Sequence, residues 1–190
     1  MRKVNIFPID NKEQLILVSF LHSLEYELKY IAKKTNDYFI YDKWKKKEYT
    51  SLTTNQLIDL KKLDLSCIGL KTIPDELRYL QNLEELNLSG NNLQELPDGI
   101  FTLKNLKVLN LGDIINGGNK LQSISKDIEK LTKLEVLKLI WNDELMELPK
   151  EILNLKNLDY ISLSQRAILE TNVGKELEET FCVDFENFYN

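Results

Sequence analysis

The feature that most constrains this fold is a leucine spacing that recurs five times along the middle of the sequence. The pattern L-x-x-L-x-L starts at Leu60, Leu83, Leu106, Leu134 and Leu158, in steps of 23, 23, 28 and 24 residues, with Ile161 as one replacement. The alternation of inward leucines with other residues predicts a short strand in each copy. One such strand cannot bury its leucines alone. The copies are therefore predicted to stack side by side around a continuous core.

A second phrase separates the predicted strands, and its clearest copy is "LPDGIFTLKNL", which begins at Leu96. Its apolar residues recur at spacings of three and four, which predicts helical turns on the opposite wall. The strand spacing and this phrase resemble the leucine-rich repeat family, in its 23-residue form, over about residues 55–168. The resemblance implies an α/β solenoid with a curved parallel sheet on the concave face and short helical segments on the convex side.

The resemblance also implies a role for Asn91 and Asn119, which stand where the family buries an asparagine that satisfies backbone groups of the turn. Ile68 and Arg166 occupy this position in the first and last copies, and terminal repeats are commonly atypical. The abundance of lysine and asparagine favours a small bacterial member of the family.

The segments on either side of the repeats are predicted to cover the exposed ends of the stack. We expect an N-terminal cap over residues 1–53, about five repeat strands over 54–168 and a C-terminal cap over 169–190. Residues 13–33 predict a helix, the following segment is expected to be extended, and a short helix is expected near Thr54–Leu60. The apolar stripe of the first helix consists of Leu17, Phe20, Leu21, Leu24, Leu28 and Ile31, and the far end is closed by Leu177, Phe181, Phe185 and Phe188.

Composition excludes several classes of function. A formal net charge of −5 argues against nucleic-acid binding, which needs a basic face. Two cysteines and one histidine are too few for a structural zinc site, so no metal and no other cofactor is expected. Because no segment has the pattern of a signal peptide or a membrane span, we expect a cytoplasmic protein without membrane contact. We also expect a monomer.

Three groups of residues could carry chemistry, but a structural role explains each more simply. The segment "GDIINGGNK" departs from the phosphate-loop pattern and holds the five extra residues of the third repeat, so 113–118 are predicted to bulge from one rim at little cost in stability. Cys182 and Asp184 resemble the Cys-x-Asp motif of bacterial effector ubiquitin ligases, but too few residues follow the repeats for that catalytic domain. A buried cap cysteine is expected instead. The lysines at 43 and 45–47, beside Trp44 and Tyr49, predict a solvated loop, with single-strand or acidic-partner binding as the alternative.

The outward strand positions of the later repeats are unusually apolar, and they predict a binding face. In the first two repeats these positions hold charged and small polar residues, whereas the later repeats place apolar residues there and Trp141 at the edge of the same face. Apolar patches and exposed aromatic residues are typical of interaction surfaces. The alternative for Trp141 is that the extra residue of its repeat turns the side chain inward or under the neighbouring loop. The predicted partner-binding residues are Val108, Val136, Lys138, Ile140, Trp141 and Tyr160.

The sequence therefore predicts a non-enzymatic module that binds a partner protein on its concave face, with no catalytic residue assigned. Two alternatives stay open. The protein could be an immunity or inhibitor protein directed against a toxin or effector, or it could be the repeat part of a larger enzyme whose catalytic domain is absent.

Overall fold

The computed structural model describes residues 12–36, 38–164, 168 and 170–185. Helices α1, α2 and α3 lead into five short strands, and α4 and a sixth strand follow the repeats. The helices are α1 (Lys12–Thr35), α2 (Phe39–Lys45), α3 (Thr54–Ile58) and α4 (Asn172–Thr180). The strands are β1 (Lys62–Asp64), β2 (Glu85–Asn87), β3 (Val108–Asn110), β4 (Val136–Lys138), β5 (Tyr160–Leu163) and β6 (Cys182–Phe185).

The strands form one parallel sheet whose order follows the sequence from β1 to β6. The register confirms the repeat alignment, because equivalent leucines of neighbouring copies stand side by side and are buried. Beyond the fifth repeat strand, β6 pairs in parallel with β5 and sets Val183 beside Ile161. The C-terminal segment therefore adds a sixth strand to the sheet. The repeat pattern did not predict this strand.

The opposite wall consists of short 3₁₀ turns, as the second phrase predicted. They span Asp75–Tyr79, Asp98–Thr102, Lys126–Lys130 and Lys150–Asn154. A proline precedes three of the turns: Pro74, Pro97 and Pro149. Ser125 precedes the remaining turn, Lys126–Lys130. Proline fixes φ at the start of a turn and lacks an N–H that would otherwise need a partner. Each turn directs one buried aliphatic residue into the core: Leu77, Ile100, Ile128 and Ile152.

Buried asparagines tie neighbouring repeats together, and the structure adds Asn142 to the two that were expected. The Asn91 Nδ2 group donates to the Leu65 and Leu88 carbonyl oxygens, at 2.8 Å each. The Asn142 Nδ2 group likewise donates to the Leu139 carbonyl at 3.0 Å, and its Oδ1 accepts from the Asn119 N–H at 3.3 Å. The extra residue of the fourth repeat therefore falls after Asn142, in the turn that leads to Leu145.

The N-terminal cap corrects two expectations. Ile31 is exposed and Ala32 is buried in its place, because the buried stripe follows the helical period from Leu28 to the next turn. The segment predicted to be extended forms α2, whose Tyr41 and Trp44 lie three residues apart on one buried face. Because residues three apart share a face of a helix, this short helix can anchor two large aromatic side chains at once.

The C-terminal cap places Cys182 in the sheet rather than in the core. Leu177 of α4 is buried and Phe181 is partly buried, as expected, whereas Cys182 is exposed and the expectation of a buried thiol is wrong. The reason is its register: Cys182 stands beside Tyr160, in the row of strand residues that point away from the core. The Phe185 side chain and Phe188 lie outside the part that the structure describes.

Candidate functional site

The outward face of the sheet has two aligned rows of side chains, as its register dictates. Charge dominates its first end, where the Lys62 Nζ atom lies 2.6 Å from the Glu85 carboxylate. Farther along the same row, Val108 stands beside Val136, and Val136 beside Tyr160. These three side chains are half-buried. The row therefore changes from charged to apolar along the stack.

The second row begins with residues whose side chains accept hydrogen bonds from the backbone. Asp64, Asn87 and Asn110 each accept a hydrogen bond from the backbone N–H two residues later, at 2.9–3.1 Å. The next member, Lys138, has only donors and cannot repeat this bond. Lys138 is half-buried, and it stands beside the apolar part of the first row. Its ammonium group places a positive charge in this part of the face, where it can attract an acidic group.

The first end of the face is held by the N-terminal cap. The Lys47 Nζ atom lies 2.9 Å from the Asp64 carboxylate and donates to the Asp64 carbonyl oxygen at 2.7 Å. Burial alone would raise the pKa of Asp64, but hydrogen bonds from Ser66 and Lys47 leave this pKa below its usual value. Burial lowers the pKa of Lys47 despite the attraction of Asp64. Trp44 is buried beside Tyr49, so this cluster fixes the cap and does not present Trp44 for stacking on bases.

Ile140 is buried, and the expectation that it faces water is wrong. Its side chain is only 4% exposed, and the equivalent residues Ser66, Ser89 and Gly112 are buried as well. This position follows the strand, where consecutive copies come into close contact. A Cβ atom on Gly112 would lie 1.8 Å from the Ile140 carbonyl oxygen. The alternation of a strand therefore does not extend to this position.

Trp141 is partly exposed, so its side chain does not lie in the core. Its side chain is 37% exposed, and its backbone N–H donates to the Ser164 Oγ atom at 3.1 Å. Its φ of +61° falls in the left-handed region, as do the φ angles of Cys67 and Gly90 at the same position of earlier repeats. A side chain in this region costs about 1–2 kcal/mol. Tryptophan therefore occupies a position whose backbone favours glycine.

The five extra residues of the third repeat form a small hairpin. Asp113 and Gly117 exchange two backbone hydrogen bonds, at 2.9 and 3.2 Å. The Asp113 carboxylate accepts the N–H groups of Ile115 and Asn116, at 2.9 and 2.8 Å. Burial alone would raise the pKa of Asp113, but the bonds from Asn110, Asn116 and Ile115 outweigh it and lower this pKa. Because a carboxylate already occupies these donors, the loop is not a free phosphate cradle.

The hairpin lies back over the preceding copies rather than standing free of them. The Gly90 N–H donates to the Gly117 carbonyl oxygen at 3.0 Å, and the Cys67 Sγ atom donates to the Asn116 Oδ1 atom at 3.4 Å. A Cβ atom on Gly118 would lie 2.0 Å from the Trp141 carbonyl oxygen. The base of the hairpin therefore packs against the fourth repeat, on the same rim as Trp141.

This rim has a second set of exposed apolar residues that the strand pattern did not predict. Ile114 and Ile115 lie at the tip of the hairpin, and Met146 lies in the loop after β4. We call Ile114, Ile115, Trp141 and Met146 the rim group. In the sequence, the extra length of the third repeat is the feature that could have indicated these two exposed isoleucines. Of the predicted site residues, Val108, Val136, Lys138 and Tyr160 remain on the sheet face, Trp141 lies at the rim and Ile140 is buried.

The described residues contain no group of three or more His, Cys, Asp or Glu side chains placed to hold a metal ion. None of the helices in the described ranges has the length and apolar character needed to span a bilayer. The Tyr160 hydroxyl donates to the Asp184 carboxylate at 2.7 Å, which orients the tyrosine ring at the edge of the face. The arrangement thus offers an apolar and aromatic contact surface with a single cation beside it.

Comparisons with known proteins agree with this architecture. The sequence model of the family described as "Leucine-rich repeat region" matches residues 40–188. A leucine-rich repeat protein of Leptospira interrogans is similar in structure, with 38% identity and a TM-score of 0.57 over 68% of this chain and 32% of that one. The functional domain of InlJ from Listeria monocytogenes matches at 23% identity and a TM-score of 0.46, over 60% of this chain and 22% of that one. The chain spans about a third of the Leptospira protein and less of InlJ. Among curated proteins, none matches the sequence.

Proposed function

Because the chain belongs to the leucine-rich repeat family, we propose that it is a non-enzymatic module that binds a partner protein through the later repeats. The proposed contact surface combines Val108, Val136, Lys138 and Tyr160 of the sheet face with the rim group. Proteins of this fold present a broad continuous face, which suits a protein partner better than a small molecule. The cytoplasm is the proposed location, and it is supported by the two free cysteines.

The observation that supports this proposal most strongly is the left-handed backbone of Trp141. A bulky residue there carries a conformational cost that the glycine of the second repeat avoids. Backbone strain of this kind persists where the surrounding structure enforces it, and it is concentrated at functional sites. The Trp141 side chain is exposed, so burial in the core does not account for it. Contact with a partner does, because tryptophan is the residue most enriched among binding hot spots.

The chemistry of the surface also describes the partner. Val136 and Tyr160 offer apolar and aromatic area, and Lys138 lies two residues after Val136 on the same face of β4. A complementary surface would have an apolar centre that covers these residues and a carboxylate within reach of Lys138. Tryptophan anchors bind best in pockets that exclude water, so we expect a pocket on the partner that receives Trp141.

Affinity capture from the native host with Trp141→Gly tests this proposal. Glycine relieves the backbone strain, so folding should be kept while the anchor is lost. We expect recovery of the captured partner to fall by at least tenfold, which corresponds to about 1.4 kcal/mol or more. The matched control is Glu48→Gly, which removes a side chain from another left-handed position, φ +54°, at an exposed residue of the N-terminal cap. Equal recovery with both variants would show that Trp141 does not contribute to binding.

A further inference from the structure

The N-terminal cap exposes a second apolar surface, separate from the binding face of the repeats. Most of the large hydrophobic residues that are exposed lie within residues 15–40. Tyr26 is 74% exposed and Tyr30 is 60% exposed. Single exposed hydrophobic residues are normal, but so many within one short segment indicate an interaction surface. The group consists of Leu15, Ile16, Tyr26, Tyr30, Ile31, Tyr38, Phe39 and Ile40.

Within this surface, α1 has a stripe with the spacing of helix–helix packing. The helix buries its other side against the first repeat, through leucines such as Leu21 and Leu24. Its exposed stripe runs at intervals of three, four, three and four residues, the heptad spacing by which two helices pack along their length. The stripe consists of Ile16, Ser19, Ser23, Tyr26 and Tyr30.

The stripe is complementary to itself in an antiparallel arrangement. Its first half holds the small residues Ser19 and Ser23, and its second half holds Tyr26 and Tyr30. When two such helices pack about a two-fold axis, each Tyr30 lies over a Ser19 and each Tyr26 over a Ser23, twice over by symmetry. The Ser23 hydroxyl already donates to the Phe20 carbonyl oxygen at 2.8 Å, so it can be covered without losing a partner.

In place of the monomer expected from the sequence, we infer that a second copy of this chain covers the stripe, and that α1 packs antiparallel with α1 of that copy as a homodimer. The exposed area of the stripe fits a weak, concentration-dependent dimer. At about 150–250 Å² for each aromatic side chain, Tyr26 and Tyr30 together expose about 250 Å². Ile16 and the two serines add to this contact, which stays below the roughly 800 Å² per partner of a standard interface, in the range of transient ones. The surface that we propose for the partner protein remains open in this dimer, since it lies on the repeats.

Disulfide trapping tests the register of the dimer directly. In a full-length background of Cys67→Ser and Cys182→Ser, the variant Ser19→Cys with Tyr30→Cys places two thiols opposite each other across the proposed axis. The Cα atoms of facing residues in closely packed helices lie within the Cα–Cα distance that a disulfide spans, roughly 4.4–6.8 Å. We expect covalent dimers under mild oxidation. The control, Ser19→Cys with Lys29→Cys, moves one thiol off the stripe and should yield few. Equal trapping by both variants, or none by either, would overturn the inference.

Sedimentation equilibrium of the unmodified chain, over a hundredfold range of micromolar concentrations, tests association itself. We expect a monomer–dimer equilibrium. Tyr26→Lys and Ser23→Lys should each weaken it at least tenfold, because each places an ammonium group within the apolar contact. Ser123→Lys adds the same charge to an exposed site on the repeats and should leave it unchanged. A monomer at every concentration, or a dimer insensitive to both stripe variants, would contradict the inference and indicate that another molecule covers the stripe.

Discussion

At the scale of single residues, the binding role that we propose for Trp141 opposes the preference of its backbone. Its equivalents are Cys67 and Gly90, and all three adopt positive φ. For a residue with a Cβ atom this conformation is unfavourable, whereas glycine adopts it readily. The residue is 37% exposed, so the covered part of the ring still contributes to folding through buried apolar area. The conformation of the backbone and the proposed binding therefore make opposite demands on residue 141.

This opposition predicts that Trp141→Gly destabilises the folded protein less than Trp141→Ala does. Both variants lose the buried part of the ring, but only glycine also relieves the left-handed strain of about 1–2 kcal/mol. Urea denaturation followed by circular dichroism measures the change. Trp141→Ala is the control, because alanine keeps the strain and loses the ring, and it should not be more stable than the wild type. A loss of several kcal/mol in Trp141→Gly would place the ring among the core contacts.

Asn142 is predicted to matter as much as the asparagines of the other repeats. Its Nδ2 group donates to the Leu139 carbonyl oxygen, and its Oδ1 atom accepts from the Asn119 N–H. Both asparagines are buried. Asn142→Ala should lower the free energy of unfolding by about 2–4 kcal/mol, because buried backbone groups lose their partners. Asn91→Ala should show a similar loss in the same denaturation experiment. If Asn142→Ala lowered the free energy of unfolding by less than about 0.5 kcal/mol, Asn142 would not tie neighbouring repeats together as Asn91 does.

The pH response of the hairpin follows from Asp113. Hydrogen bonds to its carboxylate lower its pKa below the unfolded value of about 3.9. A lowered pKa means that the stabilisation is fully present above the unfolded value and is lost as pH falls through the folded value. In NMR titrations, the Ile115 and Asn116 amides should shift together with the Asp113 carboxyl, at a midpoint below 3.9. Amides that titrate at the unfolded value would show that these bonds are absent in solution.

At the scale of elements, the sequence predicted those that depend on local pattern and missed those that depend on distant partners. The repeat strands and 3₁₀ turns follow from the leucine spacing, and α3 follows from its capping box at Thr53 and Gln56. By contrast, α2 depends on the burial of Tyr41 and Trp44 in the core, next to residues that are distant in the sequence. β6 depends on the open edge of β5. Ile140 lies where neighbouring copies touch, and the spacing of a single strand carries no information about that contact.

The hairpin of the third repeat is predicted to contribute modestly to stability, more than a free loop would. Removing residues 113–117 restores the 23-residue step, and loop entropy alone would change by only a fraction of a kcal/mol. The excision also deprives the Gly90 N–H of its partner, which should lower the free energy of unfolding by about 1–2 kcal/mol. Chemical denaturation measures the difference. A deletion with unchanged stability would mean that the hairpin merely rests on the earlier repeats.

At the scale of the whole molecule, the stack depends on the cover of its first repeat. Trp44 and Leu57 are buried in the core, and Lys47 binds Asp64 of β1. Because each repeat is stabilised only by its neighbours, exposed leucines at one end weaken the entire array. The division into one stack and two caps, proposed from the sequence, predicts that deletion of residues 1–50 causes aggregation or the loss of cooperative melting. Calorimetry of the truncated chain checks this, and a transition as sharp and at the same temperature would contradict the cap.

The central claim is that a partner protein binds at the rim and face of the later repeats, and site-specific photocrosslinking in the native host tests it most directly. A photoreactive amino acid replaces Ile115, which is 87% exposed at the tip of the hairpin, or Lys104, which is exposed on the opposite wall. Neither substitution disturbs a buried side chain, so both proteins should fold alike. The account predicts a defined covalent adduct with one partner protein from position 115 and none from position 104. Adducts from position 104 alone, or the same adducts from both positions, would contradict it.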